Sequence, residues 1–374
     1  SSRSPQSNSG YPLSTKPNEF NVGASYIWQV ARTAYDFVYG GSDFSAPIAT
    51  NLYDTPQVAR PDGYHFAGGD LDDPFPITRS RLGSVFVSDT MGLWQDRLLI
   101  TAGMRLQSIT TKSYAYADGA LSTTYDESAV TPVVGVVFKP VEGLSFFAKR
   151  AEGLVQGDRA SMDTNLTNPG EVFAPFKTKQ YEAGAKLRLG AFNLSLAAFQ
   201  IDRPSGFSIS TPTPTNANAI TYGIYGEQRN RGIEFSMDGE ITRGLRVIAG
   251  TTYTDAKLRR TSGAVNEGNG AIGVPEWMAN VEWDLPFGAT LTGRVVYTGK
   301  QWVNAANTLE LDDWARVDLG ARYVLDAGDK PLTLRFTVDN VANTRYWSSA
   351  FGTSSAALLQ GAPRTFKASA SIDF

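Results

Sequence analysis

Cysteine is absent from this sequence, histidine occurs once, and neither sign of charge dominates. Without cysteine there is no thiol catalysis, no disulfide framework and no cysteine-based zinc site. Lys and Arg number 34 against 37 Asp and Glu, a net charge of -3. No basic patch stands out to neutralise phosphates, which argues against nucleic acid as a partner. Long apolar runs are missing too. No stretch approaches the roughly 18–20 consecutive apolar residues that a membrane-spanning helix needs, so a helical bundle in a bilayer is excluded. The chain opens on Ser1-Ser2-Arg3, without a basic segment leading into an apolar one. Any secretory leader was therefore removed or lies upstream.

What the sequence does have is aromatics at 11% and 36 glycines in 374 residues, a composition that suits strands and turns. Apolar and polar residues alternate over segments of about ten residues. Val317, Leu319, Ala321, Tyr323 and Leu325 share one face of a strand, and Asp318, Gly320 and Arg322 the other. Tyr181, Ala183, Ala185 and Leu187 alternate with Glu182, Gly184, Lys186 and Arg188. Leu334 and Phe336 oppose Arg335 and Thr337, and Ile233 and Phe235 oppose Glu234 and Ser236. Successive strand side chains point to opposite faces, so each segment has an apolar face and a frequently charged one.

About fourteen such strands follow one another, the first near 18–38, others near 128–139, 191–203, 288–300 and 331–346, and the last near 362–374, with residues 1–17 an irregular N-terminal segment. Their connections alternate between short and long. Trp94-Gln95-Asp96, Gly190 and Thr242-Arg243-Gly244 are short; the stretches after Tyr39, Val155, Lys300 and Trp347 are long. A soluble sandwich has no reason to put every long loop at one end, whereas an outer-membrane barrel does. The expectation is an all-β, transmembrane antiparallel barrel, with charged faces toward a wet lumen and both chain ends at the short-turn rim. The sequence ends on the alternating strand Phe366, Ala368, Ala370, Ile372 and Phe374, and a terminal aromatic there is typical of bacterial outer-membrane barrels.

Four segments resemble those of a known family. Asn340, Asn343 and Tyr346 form an NxxNxxY pattern, and Lys177 through Lys186 is similar to a KxxYExGxK strand, with one residue more between the first lysine and Tyr181. Arg231-Gly232-Ile233-Glu234 resembles an RGxE element, and Arg316-Val317-Asp318-Leu319 an RVDL element. In this order they resemble the TonB-dependent siderophore receptors, of ferrichrome type. The resemblance runs from about Asn18 to Phe374 and implies the last fourteen strands of a barrel of about 22 strands, without the lumen-filling plug. It implies a bacterial outer-membrane receptor for energy-coupled uptake of a ferric siderophore, of hydroxamate type. Iron would be bound only through the siderophore, with no other cofactor. The implied partners are the ferric siderophore, outer-membrane lipid and lipopolysaccharide, and the TonB-ExbB-ExbD complex, acting through a plug and coupling box that this chain does not contain.

Aromatic residues in the long loops are candidates for ligand contact, because rings supply contact area at modest entropic cost. They are Tyr53, Tyr64 and Phe66 in the first loop, Trp302 in a later one, and Trp347 and Phe351 in the last. The family resemblance gives Phe351 a specific role, since ferrichrome-type receptors carry a ligand-contacting aromatic five residues beyond the motif tyrosine. For the others, girdle or loop packing is the competing reading. The single histidine, His65, lies in the first loop and is the only candidate for serine–histidine chemistry, so no enzyme is expected. Asp70, Asp72 and Asp73 match no standard calcium loop. The rival function is a passive channel of fourteen strands, a porin or fatty-acid-type transporter.

Overall fold

The computed structural model describes residues 18–40, 51, 56–57, 63–287, 289–327, 330–351 and 357–372. Residues 1–17, Tyr53 and Phe374 lie outside the described residues, as do the side chains of Tyr64, His65 and Phe66. Twenty strands follow in chain order. β1 (Asn18–Arg32) leads into a hairpin, β2 (Tyr35–Gly40) and β3 (Gly63–Gly68). Then come β4 (Pro76–Leu93), β5 (Leu98–Tyr114), β6 (Leu121–Val141), β7 (Leu144–Val155), β8 (Phe176–Leu189) and β9 (Phe192–Ser210). β10 (Ile220–Thr242), β11 (Leu245–Arg260), β12 (Trp277–Phe287) and β13 (Ala289–Thr298) continue the series. β14 (Gln301–Trp302) and β15 (Glu310–Leu311) pair within a loop; β16 (Trp314–Ala327) and β17 (Lys330–Asp339) return to the sheet. β18 (Trp347–Phe351) and β19 (Ala357–Gln360) form a last loop hairpin before β20 (Thr365–Ile372). Among the described residues the one helical element is a single 3-10 turn, Ser262–Ala264, and no helix is long and apolar enough to cross a membrane.

Fourteen strands make one sheet in the order β1-β4-β5-β6-β7-β8-β9-β10-β11-β12-β13-β16-β17-β20. Every neighbouring pair is antiparallel and follows directly in sequence apart from the loop hairpins. The sheet ends at β1 and β20, and neither has a second neighbour among the described residues. The six short connections lie at one end and the long ones at the other, as the sequence predicts. Asn18 pairs beside Met91 and Ile372 beside Leu332, which puts the outer ends of both terminal strands on the short-turn side.

Tight turns explain the short end. Gly143, Gly190 and Gly244 take φ of 81°, 60° and 88°, a region that glycine enters without steric cost. The turn between β4 and β5 reaches the same geometry without glycine. Trp94, Gln95 and Asp96 all stand in the left-handed region, with φ of 54°, 58° and 61°.

The register carries one side-chain face from β8 across to β16. Gly184 lies opposite Ala197, Ala197 opposite Glu234, and Glu234 opposite Thr252. Thr252 then meets Met278, and on the same face Asn280 meets Val296 and Val296 meets Arg316. Glu182, Lys186, Glu234, Arg316, Asp318 and Arg322 therefore share one face. Leu187, Phe235, Leu319, Tyr323, Leu334 and Phe336 share the other. An open cavity is lined by Glu182, Lys186, Glu234, Ser236, Thr252 and Asn280 from the charged face, so this face forms the inside of a trough. Ion pairs run along it, from Lys149 to Glu182 at 2.8 Å and from Arg316 to Asp318 at 2.9 Å.

The apolar face changes character toward the long loops. From the level of Tyr181 and Tyr253 outward it carries Arg150 with Glu152, Arg229 with Asp202 and Arg231 with Asp255. An apolar band edged by tyrosine and then by charge is the pattern of a strand leaving a bilayer.

Several expected strands have different limits; those expected near 128–139 and 191–203 run on as Leu121–Val141 and Phe192–Ser210. The strand expected near 18–38 stops at Arg32, and its remainder turns into the β2–β3 hairpin. The one expected near 288–300 ends at Thr298, and Gln301 and Trp302 pair instead with Leu311 and Glu310. The one expected near 331–346 ends at Asp339 because Asn340 takes φ of 53° and breaks the extended chain. The largest fully buried side chains, Leu311, Val303 and Asn340, lie among the long connections rather than between sheet strands.

Candidate functional site

The long-loop end of the trough is shaped by two structures, a motif cluster on the wall and a small core formed by loops. The wall cluster joins two of the sequence patterns. Asp318 of the RVDL element accepts a 2.8 Å bond from the backbone N–H of Asn340 at its Oδ1, and a 2.9 Å bond from Arg316 Nη2 at its Oδ2. Arg316 Nη1 reaches the Tyr346 hydroxyl at 3.4 Å. Asn340 is 1% exposed and its side chain is fully employed. Its Oδ1 accepts from Thr344 N, and its Nδ2 donates to the carbonyls of Thr344 and Ala362. Asn343, also left-handed at φ of 54°, accepts from the N–H of Arg364. Asparagine tolerates this backbone region and can bond its own loop, which accounts for both asparagines of the pattern.

The other two patterns also have local reasons. Gly184 faces the ring of Phe147 across the sheet, and Gly232 faces that of Phe199. A Cβ on Gly232 would come within 2.0 Å of the Tyr253 carbonyl oxygen and 2.8 Å of the Phe199 ring. Glu182 takes the ammonium of Lys149 and a 3.1 Å bond from Gln180 Nε2.

The loop core is built from three successive connections. Val303 and Leu311, each 1% exposed, and Ala350 at 3% form its centre, with Ile272, Trp347 and Leu358 packed around them. Polar ties reinforce it. Asn307 Oδ1 accepts from Gly270 N at 2.7 Å while its Nδ2 donates to the Gly270 carbonyl at 3.0 Å. Asn269 Nδ2 donates to Ala305 O, and Gly273 N donates to Trp302 O at 2.9 Å. At its rim Lys300 Nζ stands 3.3 Å from Glu310 Oε2. That bond, with Asp312 and Asp313 nearby, holds the lysine's pKa above its ordinary value.

Of the six candidate aromatics, Trp302, Trp347 and Phe351 have described side chains. Trp347 packs against the loop core, and Trp302 lies over Gly270 while bridging to Ile272. Phe351 sits on the opposite face of its hairpin from Ala350 and is 55% exposed. In β3 the backbones of Tyr64 and Phe66 pair with Tyr39 and Phe37. Asp70 Oδ1 accepts from the N–H groups of Asp72 and Asp73, a local turn. The buried Gln301, which no pattern in the sequence singled out, links two of the three loops. Its neighbours in space are about 47–49 positions away in sequence, and no local signal points to them.

The sequence matches the family described as TonB dependent receptor-like, beta-barrel, over residues 2–341. It is 34% identical to the ferrichrome receptor FcuA of Yersinia enterocolitica over 364 residues, 96% of this chain and 46% of that protein. It is 26% identical to the ferrichrome outer membrane transporter/phage receptor of Escherichia coli over 84% of this chain and 41% of that one. Among solved structures, BauA, the ferric preacinetobactin receptor of Acinetobacter baumannii, superposes with a TM-score of 0.74 at 34% identity, covering 96% of this chain and 51% of BauA. The chain thus spans about half the length of the curated relatives that it matches. Members of this family are outer-membrane β-barrel transporters and not enzymes. On this agreement of sequence, sheet and motifs, the chain belongs to the TonB-dependent receptor β-barrels.

Proposed function

We propose that this chain is the barrel portion of an outer-membrane receptor that takes up a ferric siderophore of hydroxamate type. The observation that carries the reading is the 34% identity with a ferrichrome receptor across 96% of the chain. Ferrioxamine receptors, at 26–28% identity over shorter stretches, name a second hydroxamate chelate. In this reading the fourteen strands are completed by others to a closed barrel of about 22. The charged face lines the lumen, and the apolar face meets lipid, with lipopolysaccharide at the loop end. The exposed ring of Phe351 supplies one apolar wall for the chelate. A plug domain closes the lumen, and the TonB-ExbB-ExbD complex pulls on it. Iron enters as cargo inside the chelate, and no bond is made or broken.

Uptake of radiolabelled ferrichrome by cells expressing the full receptor tests this. Energy-dependent uptake that disappears without TonB is the expected result, and no uptake or binding of any ferric hydroxamate overturns it. A passive fourteen-stranded channel would need β1 to pair with β20. Conductance in planar bilayers tests that rival, which large, steady openings without energy coupling would favour.

A further inference from the structure

Gln301 is 2% exposed, although glutamine is a residue usually found at the surface. It opens β14, in the connection between the sheet strands β13 and β16, and both ends of its amide address the last loop. Its Nε2 donates to the Ser348 carbonyl at 3.3 Å, and its Oε1 accepts from the Ala350 N–H at 3.4 Å. Ser348 and Ala350 belong to β18, the arm of the hairpin that ends in Phe351. The amide therefore occupies the place of a neighbouring strand, satisfying one acceptor and one donor along the outer edge of that arm. On one side of this contact lie Val303 and Leu311. On another lies Gly273, where a Cβ would come within 1.9 Å of the Ala350 carbonyl oxygen. The hairpin is thus held from two loops at once, by a buried amide and by a backbone approach that only glycine permits.

We propose that Gln301 is a positioning residue, which fixes the β18–β19 hairpin so that Phe351 presents a preset wall to the ligand. The role rests on the proposed reading of Phe351 as a ligand contact. The physical reason is that an unmade bond at a buried amide is costly, so Gln301 and the hairpin edge stay together. A ring held in place loses less freedom on binding than one on a free hairpin.

The test is a double-mutant cycle in the full receptor purified from outer membranes, with ferrichrome as the probe. Gln301→Ala should weaken equilibrium binding by about tenfold. In a Phe351→Ala background the same change should have almost no further effect, because the positioned ring is gone. Gln301→Glu keeps the acceptor for Ala350 but sets a carboxylate against the Ser348 carbonyl at a buried position, so it should weaken binding at least as much as Gln301→Ala. Where Phe351→Ala weakens binding, additive losses, or an unchanged affinity in Gln301→Ala, overturn the role. Hydrogen exchange separates this failure from that of the ligand reading. Gln301→Ala should speed exchange at the Ala350 amide; unchanged protection there sinks the positioning role whatever the ligand. Faster exchange together with a silent Phe351→Ala would sink the ligand reading and leave the positioning intact.

Discussion

The indole of Trp314 and the ring of Tyr346 lie stacked, with centroids 4.2 Å apart and planes inclined by 29°. Trp314 begins a sheet strand and Tyr346 ends the turn that follows the next one, so the stack ties the last long loop to the wall. Below it Arg316 and Asp318 continue the same connection to Asn340. The RVDL and NxxNxxY patterns are two halves of one fastening.

Asp318 holds a buried N–H that has no other acceptor among these contacts. Asp318→Ala should therefore destabilise the folded protein by about 1–3 kcal/mol, the cost of leaving a buried donor unmet. Urea unfolding followed by tryptophan fluorescence measures this, and a change near zero would show that the bond contributes nothing.

Glycine at 232 is required by space. Gly232→Val would drive a side chain into the Tyr253 carbonyl and the Phe199 ring, and overpacking typically costs about 1–3 kcal/mol and at times more. Gly153 has open space around its Cβ direction, so Gly153→Ala is the control. Heat-modifiable mobility on gels should be lost or weakened in the first variant and retained in the second.

Adjacent residues of β10 should respond oppositely to a new charge. Phe235→Arg puts a cation on the apolar face and should cost about 2–4 kcal/mol near the bilayer midplane. Ser236→Arg puts it in the charged trough beside Glu234 and should cost little. Folding into phospholipid vesicles at graded urea compares the two, and equal costs would contradict the assignment of faces.

Phe351 is exposed beyond the sheet, so its removal should leave folding intact. Phe351→Ala should weaken ferric hydroxamate binding by about tenfold, which corresponds to about 1.4 kcal/mol. Equilibrium titration with ferrichrome and ferrioxamine measures it. Unchanged affinity for both would remove Phe351 from the ligand site.

The period-two alternation by itself determined the strands, their faces and the end at which the long loops gather. That pattern is local. A strand such as Val317–Leu325 states its two faces through its own side chains, and a turn such as Gly190 states its place through one backbone angle. Strand ends were less legible, because the stop at Asp339 depends on how Asn340 bonds Thr344 and Ala362, groups that only the folded loop supplies. The surroundings of the loop aromatics were not legible at all. Trp302, Trp347 and Phe351 read alike as exposed rings in polar loops, yet two of them pack within the loops and one stays free. What separates them is a core assembled from Val303, Leu311 and Ala350. Those residues come from two loops separated by β16 and β17, and burial is a property of that assembly, which no single segment of the chain encodes.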